Sequence, residues 1–524
     1  MYQAIEKRLA RFVNSGQSRL LRGGRIGLEK ESLRVSPDGG IATTAHPAAL
    51  GSALTHPFIT TDYSEALTEL ITPPCSDASE ALAFLRDAQK FVYDNLEGEF
   101  LWATSMPCVL PGADSIPIAR YGSSNIGTMK TVYRRGLGHR YGRVMQVIAG
   151  VHFNYSPREA FWPLYQELEQ DRGFTRAFVD DAYLGLIRNL QRYGWLIPYL
   201  FGASPAVCKS FLGGRPTRLD EFDAHTCFGP FATSLRMGDI GYTNRKEEGV
   251  GVKADYSDLE AYIASLVRAI ETPCPQWQRI GVKVGNRYEQ LNANILQIEN
   301  EYYSTVRPKQ VPDDNEKPTS ALRRRGVRYV ELRSLDVNAF EPLGVSESQA
   351  RFLEAFMLFC LLQESPRIDA CEGREIDENL VQTAHRGRDP ALRLQRGGEA
   401  VSLPEWASEL CDVMTGVCDL LDAGDADRPY SRALRQYREL VRDPDRTPSA
   451  RILAEMRRRG EGFFHFARRI SLEHKDYFDG LGLHRERRAF FEREAAASLE
   501  RQAAIEASDT LSFDEFLEKY FSQD

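Results

Sequence analysis

Arg25-Ile26-Gly27-Leu28-Glu29-Lys30-Glu31 has the apolar spacing of a buried strand, yet it carries two carboxylates two residues apart. The same texture returns in Glu65-Ala66-Leu67-Thr68-Glu69-Leu70-Ile71, in Gly150-Val151-His152-Phe153-Asn154-Tyr155 and in Tyr329-Val330-Glu331-Leu332-Arg333. Side chains on a strand alternate between its faces, so Glu29 with Glu31, His152 with Asn154 and Glu331 with Arg333 each share a face. Together the four segments describe a sheet with one polar working face. Carboxylates gathered there repel one another and lose hydration, so they require cations, and bound divalent metal is the simplest supply. The chain reads as a metal-dependent enzyme.

Each segment also has a plainer reading. Glu29 and Glu31 fit a solvated edge strand, His152 fits a hydrogen-bonded core histidine, and Glu331 with Arg333 fits a structural ion pair. Tyr133 and Tyr242 fit semi-buried packing residues. Arg236, in a segment bounded by loops, fits either a carboxylate clamp or an ordinary surface arginine. The coincidence of several half-polar strands in one region favours the functional reading, because a domain with one wet face and no ligand does not need them.

Composition narrows the class. A chain of 524 residues accommodates two or three domains, or one large catalytic domain with an appendage. The net charge of -8, with basic and acidic residues interleaved as in His484-Arg485-Glu486-Arg487-Arg488, argues against nucleic acid as a partner. Tyr193 to Cys208 is a long uncharged, apolar stretch; Pro198 and Pro205 interrupt it and it falls short of the ~20 apolar residues of a membrane helix. Charges throughout Met1 to Phe12 leave no signal-peptide core. Nine cysteines without a C-x-x-C pair fit reduced thiols in a cytoplasmic protein better than a disulfide framework.

Strand-like and helix-like segments alternate from residue 20 to about 340. Apolar spacing predicts helices over 79–96, with Ser79 as the cap, over 176–199, 256–270 and 346–363. Pro107 to Thr128 reads as a long functional loop, and Val306 to Ser320, with three prolines and six charged residues, as another. Residues 366–400 read as charged and irregular, and 405–524 as amphipathic helices. This places a boundary near 365, between a catalytic region, 1–365, and a mostly helical region, 366–524. There is no G-x-x-x-x-G-K-[ST] loop, no G-x-G-x-x-G, no H-E-x-x-H and no G-x-S-x-G. If ATP is used, carboxylate-bound magnesium must hold its phosphates.

Gly27 to Glu31, Ile59 to Glu65, Gly150 to Asn154, Phe201 to Pro205, Gln297 to Tyr302 and Glu331 to Asp336 together resemble glutamate-cysteine ligases of the proteobacterial type. The similarity runs in order from about residue 20 to 365. It implies an α+β, glutamine-synthetase-like catalytic domain, with a curved, mainly antiparallel sheet flanked by helices. The activity it implies is ATP- and Mg²⁺-dependent joining of the glutamate γ-carboxylate to the cysteine amine, with Mn²⁺ as a substitute ion and glutathione as a feedback inhibitor. By motif position, Glu29, Glu31, Asp62, Glu69, His152 and Glu331 resemble the metal set, and Arg333 the residue facing the transferred phosphoryl group. Arg236 and Asn154 resemble glutamate contacts; Tyr63, Tyr133, Leu137, Gln146 and Tyr242 resemble the cysteine pocket. Lys30, Ser32 and Tyr63 stand where Arg, Thr and Phe are common in the family. A related ligase that joins glutamate to a different amine would share the metals and differ at Tyr133, Leu137 and Tyr242. A non-catalytic nucleotide sensor would keep the fold without turnover.

Overall fold

Seven strands carry the polar face: β1 (Arg25–Val35), β2 (Ile59–Thr61), β3 (Leu67–Ile71), β4 (Phe100–Leu101), β5 (Val151–Ser156), β6 (Val306–Lys309) and β7 (Tyr329–Leu335). They belong to a computed structural model that describes residues 2–110, 112–241 and 252–523. The order across the sheet is β6-β7-β5-β1-β3-β2, with β4 paired to the end of β1. Every one of these pairings is antiparallel.

Register explains why the motifs converge. Glu29 lies opposite His152, Glu31 opposite Glu69, and Glu331 opposite Asn154. Because direct cross-strand partners share a face, all of these side chains point to one side of the sheet. The intervening residues Leu28, Phe153 and Leu332 point to the other side and are 1% exposed or less. That back face is covered by the helices Ala78–Tyr93, Thr175–Tyr193 and Glu347–Leu362. The last of these is buried nearly all round, through Phe352, Phe356 and Phe359, which makes it a core helix and not a surface one. Truncating Phe153 or Leu28 to Ala would cost about 3–5 kcal/mol through lost burial and the cavity left behind.

The predicted elements stand with shifts that have local causes. The first sheet-covering helix starts one residue earlier than predicted, because Asp77 accepts from the Ser79 amide and is the cap in place of Ser79. The segment 176–199 is two helices, Thr175–Tyr193 and Leu196–Phe201. Val306–Lys309, predicted as loop, is edge strand β6; Pro308 is tolerated because an edge position need not donate on its outer side. The stretch 366–400 is not irregular either: Ala370–Arg386 is a helix capped by Asp369, followed by the hairpin Arg393–Arg396 and Glu399–Ser402. Pro107 to Thr128 is largely irregular as predicted, although the helix Asn125–Tyr141 begins inside it.

One cysteine expectation is corrected. Cys108 and Cys208 form a disulfide with Cα atoms 5.5 Å apart, while seven cysteines are free thiols. A separation of 100 residues gives no sequence signal; the strand Ala206–Cys208 brings its last residue against the segment that follows β4. Among the described residues no helix is long and apolar enough to cross a membrane.

The helices after residue 403 fold back onto the sheet-bearing part. Phe478 stacks on Tyr93 at 4.9 Å and Phe491 on Phe91 at 5.3 Å. One continuous apolar core runs from Ile5 to Tyr520.

Candidate active site

A cavity of about 1110 Å³ opens on the front of the sheet, lined by Glu29, Glu31, Asp62, Glu69, His152, Glu331 and Arg333. The six residues expected to bind metal therefore share one space, but they fall into two groups of different character.

In the first group, Glu29, His152 and Glu331 each offer a ligand atom, all within 4.8 Å of one another. His152 Nδ1 lies 3.0 Å from Glu29 Oε2 and 3.3 Å from Glu331 Oε1. Asn154 Nδ2 donates to Glu29 Oε1 at 2.8 Å, and Arg333 Nη1 donates to Glu331 Oε1 at 2.8 Å. Lys309 Nζ stands 3.4 Å from Glu331 Oε2. Burial opposes ionisation of both carboxylates, but these partners outweigh it and hold both below the usual carboxylate range. Burial and Arg333 oppose protonation of His152; the contacts to Glu29 and Glu331 win and push it up to about 9.

In the second group burial and mutual repulsion prevail, although Arg236 and Arg333 act on Glu31 and Lys130 and Arg134 stand near Glu69 and Asp62. Glu31 Oε2 accepts from the Gly150 amide at 2.6 Å. Burial, with Asp62 beside it, raises the Glu31 carboxyl above its usual range. Burial raises Glu69 further, with Glu29, Asp62 and Glu31 adding to the effect. Asp62 stays partly exposed, with Oδ1 3.9 Å from Arg134 Nη2.

The pocket residues lie on the wall beside this group. Helix Asn125–Tyr141 presents Tyr133 and Leu137 to the cavity, and Tyr63 and Gln146 complete that corner. Gln146 Oε1 accepts from the Tyr303 hydroxyl at 2.7 Å. The Tyr63 hydroxyl is buried without a hydrogen-bond partner.

Arg236 and Asn154 are placed differently from the other predicted residues. Asn154 belongs to the front face through its bond to Glu29, whereas Arg236 is 2% exposed and lies behind the cavity wall. Its Nη2 donates to the Arg333 carbonyl at 3.0 Å, and its Nη1 is 3.8 Å from Asp336 Oδ1. Only a glycine fits against it at position 150, because a Cβ there would stand 2.1 Å from Arg236 Nη2. Tyr242 lies outside the described residues.

Sequence reading missed several cavity residues. Arg307 and Lys309 alternate along β6, a period-two signal that the surrounding prolines hid. Lys130 and Arg134, four residues apart on the same helix as Tyr133, also line the cavity. A register shift in β7 lies between Leu332 and Leu335, which no sequence pattern marked.

Donor chemistry fits a hard divalent cation. Carboxylate oxygens dominate, one imidazole joins them, and Glu331 Oε2 is buried without a hydrogen bond.

Comparison with known proteins gives a consistent picture. The family model for glutamate-cysteine ligase matches residues 9–383. The glutamate-cysteine ligase of Alcanivorax borkumensis is 47% identical over 522 residues, covering 99% of both chains. That of Azotobacter vinelandii is 49% identical over 523 residues, 99% of this chain and 98% of its own. Among solved structures, glutamate-cysteine ligase from Francisella tularensis in complex with AMP matches with a TM-score of 0.89 at 35% identity, over 95% of this chain and 98% of that one. A bifunctional glutathione synthetase from Pasteurella multocida shares the fold, with a TM-score of 0.73 at 24% identity, over 94% of this chain and 58% of that one. With a family model spanning most of its length and full-length relatives near half identity, the chain belongs to the glutamate-cysteine ligase family.

Proposed function

We propose that this protein joins the γ-carboxylate of L-glutamate to the amine of L-cysteine at the expense of ATP, giving γ-glutamylcysteine, ADP and phosphate, the first reaction of glutathione synthesis. One observation carries the reading: a cation-balanced carboxylate group with Arg333 shares a single cavity with the pocket of Tyr63, Tyr133, Leu137 and Gln146. Phosphoryl chemistry and a small apolar acceptor site are thus within reach of one another.

A carboxylate is a poor electrophile, so amide formation in water needs prior activation. Attack of the glutamate γ-carboxylate on the terminal phosphorus of ATP breaks the bond to ADP and leaves a γ-glutamyl phosphate. Arg333 contacts the transferred group, and its planar fork stabilises charge spread over the phosphoryl oxygens. Glu29, Glu331 and His152, with Glu31, Asp62 and Glu69, hold Mg²⁺ or Mn²⁺, which when bound supplies electrostatic neutralisation of the phosphates. Asn154 orients glutamate, while Arg236, behind the wall, holds the Arg333 backbone in place. Cysteine then attacks the acyl carbon through its amine and phosphate leaves, while Tyr63, Tyr133, Leu137, Gln146 and Tyr242 hold the side chain. An apolar corner of this kind distinguishes a thiol from a hydroxyl by about 1–3 kcal/mol. In this reading the compartment is the cytoplasm, glutathione inhibits by returning to the site, and residues 1–365 carry the substrates.

The test is an assay with glutamate, cysteine, ATP and magnesium each omitted in turn, followed by a panel of amines in place of cysteine. ADP release that requires all four components, and falls by at least about tenfold with other amines, supports the proposal. ATP binding without glutamate-dependent turnover would instead mean a sensor.

A further inference from the structure

The two last helices, Arg485–Ser508 and Phe513–Phe521, do more than cover the molecule's surface. Ile505, Phe516 and Tyr520 line the same cavity as Glu29 and Glu331. Their segment is also tied by hydrogen bonds to both sides of the cavity mouth.

On one side, Asp509 Oδ2 accepts from the Asn125 amide at 2.5 Å and Glu506 Oε1 from the Ser123 amide at 2.8 Å. These carboxylates sit at the start of helix Asn125–Tyr141, where unpaired amides and the helix dipole favour negative charge. The fit is close: a Cβ on Gly122 would stand 2.2 Å from both Gln502 Nε2 and Glu506 Oε1. The helix held in this way is the one that presents Tyr133 and Leu137. On the other side, Lys317 Nζ donates to the carbonyls of Phe521 and Gln523 at 2.8 and 2.9 Å, next to the segment 313–316 that lines the cavity. Asp514 pairs with Lys283 at 3.2 Å and accepts from the Tyr288 hydroxyl.

We infer that residues 485–523 are part of the active site: Phe516 and Tyr520 form a water-excluding wall across its mouth, while Asp509 and Lys317 are positioning residues that hold this wall against the two rims. The inference rests on the proposed ligase reaction. A γ-glutamyl phosphate is open to attack by water at the acyl carbon, which breaks the same C–O bond as the amine does and returns glutamate, phosphate and a proton. A wall that keeps water out preserves the intermediate for cysteine.

Asp509→Ala and Lys317→Met each remove one tie and leave the apolar contacts in place. The measurement is the ratio of ADP released to γ-glutamylcysteine formed, at saturating glutamate and cysteine, with thermal melting as a check on folding. In the wild type the ratio is near one. In either variant it rises at least about twofold, and Asp509→Asn, whose amide oxygen still accepts from the Asn125 amide, restores it. A variant that slows both products equally, with the ratio fixed near one, would assign the segment a purely structural role and overturn the inference. A wild-type enzyme that releases ADP without any γ-glutamylcysteine would count against the ligase reaction itself and not against the wall.

Discussion

The two carboxylate groups of the front face are neighbours on one sheet, yet they meet burial in opposite ways. Glu29 and Glu331 share His152 and Lys309, Arg333 adds to Glu331, and both lie below the ordinary carboxylate range. Glu31 and Glu69 face each other across β1 and β3 with Asp62 nearby, and both are raised. In the first group the protein's own cations outweigh burial; in the second, burial and the repulsion among Glu31, Asp62, Glu69 and Glu29 prevail over Arg134, Lys130, Arg236 and Arg333. A surface that needed only to be stable would have no reason for the second group, so its strain points to a ligand.

The largest effect expected is on activity. Glu331→Gln should lower turnover by at least about 10³-fold, measured as ADP release at ordinary magnesium. It should also destabilise the metal-free protein by about 3 kcal/mol, because His152, Arg333 and Lys309 lose a buried partner. Glu69→Gln should likewise abolish activity, but the metal-free protein should become more stable. Equal destabilisation by both variants would erase the distinction between the groups. Arg333→Lys keeps the charge and loses the fork, and should cost about 10³-fold in turnover; ATP hydrolysis at the wild-type rate would remove Arg333 from the mechanism.

The pH dependence follows from the signs. A carboxyl raised on folding, such as Glu31 or Glu69, contributes stability below about pH 4.5 that is lost as pH rises through its folded pKa. His152, pushed up to about 9, adds a contribution that is complete below about pH 6.5 and fades as pH rises through 9. Denaturation of the metal-free protein should therefore show falling stability between about pH 5 and 9, and divalent ion should reverse that slope, since binding is tightest when these groups have lost their protons.

Behind the sheet, Glu354 repeats the contrast on a smaller scale. It is buried and accepts from the Tyr430 hydroxyl at 2.6 Å, and burial outweighs this and raises it to about 7. Its contribution is present below about pH 4.5 and lost as pH rises through 7, so Glu354→Gln should gain about 3 kcal/mol at pH 8, read by denaturant titration, with activity unchanged. No gain at pH 8 would mean that water or a cation reaches this carboxylate. Tyr63→Phe should have the smallest effect, about 1 kcal/mol of added stability from deleting an unpartnered hydroxyl, with cysteine turnover within about threefold of wild type; a tenfold loss would show that the hydroxyl contacts substrate.

Much of this was legible in sequence because strands convert spacing into direction. Glu29, His152 and Glu331 each followed a period-two rule, and antiparallel register then made them neighbours. Lys309 and Arg307 obey the same rule on β6, but prolines on an edge strand look like a loop. Arg236 could be tied to the site by motif but not located: its burial behind the wall depends on Gly150 and Asp336, which are distant in sequence. The Cys108–Cys208 bond and the return of the C-terminal helices to the cavity are tertiary facts without a local signature. Helix amphipathicity says that a face is buried and not against what.

Anomalous diffraction from crystals grown with Mn²⁺ and a non-hydrolysable ATP analogue would test the central claim most directly. Manganese peaks should appear between the analogue's phosphates and the carboxylates of both groups, within ligand distance of Glu29, Glu331 and His152 and of Glu31 and Glu69. Phosphates bound away from this face, with those carboxylates holding no metal, would contradict it.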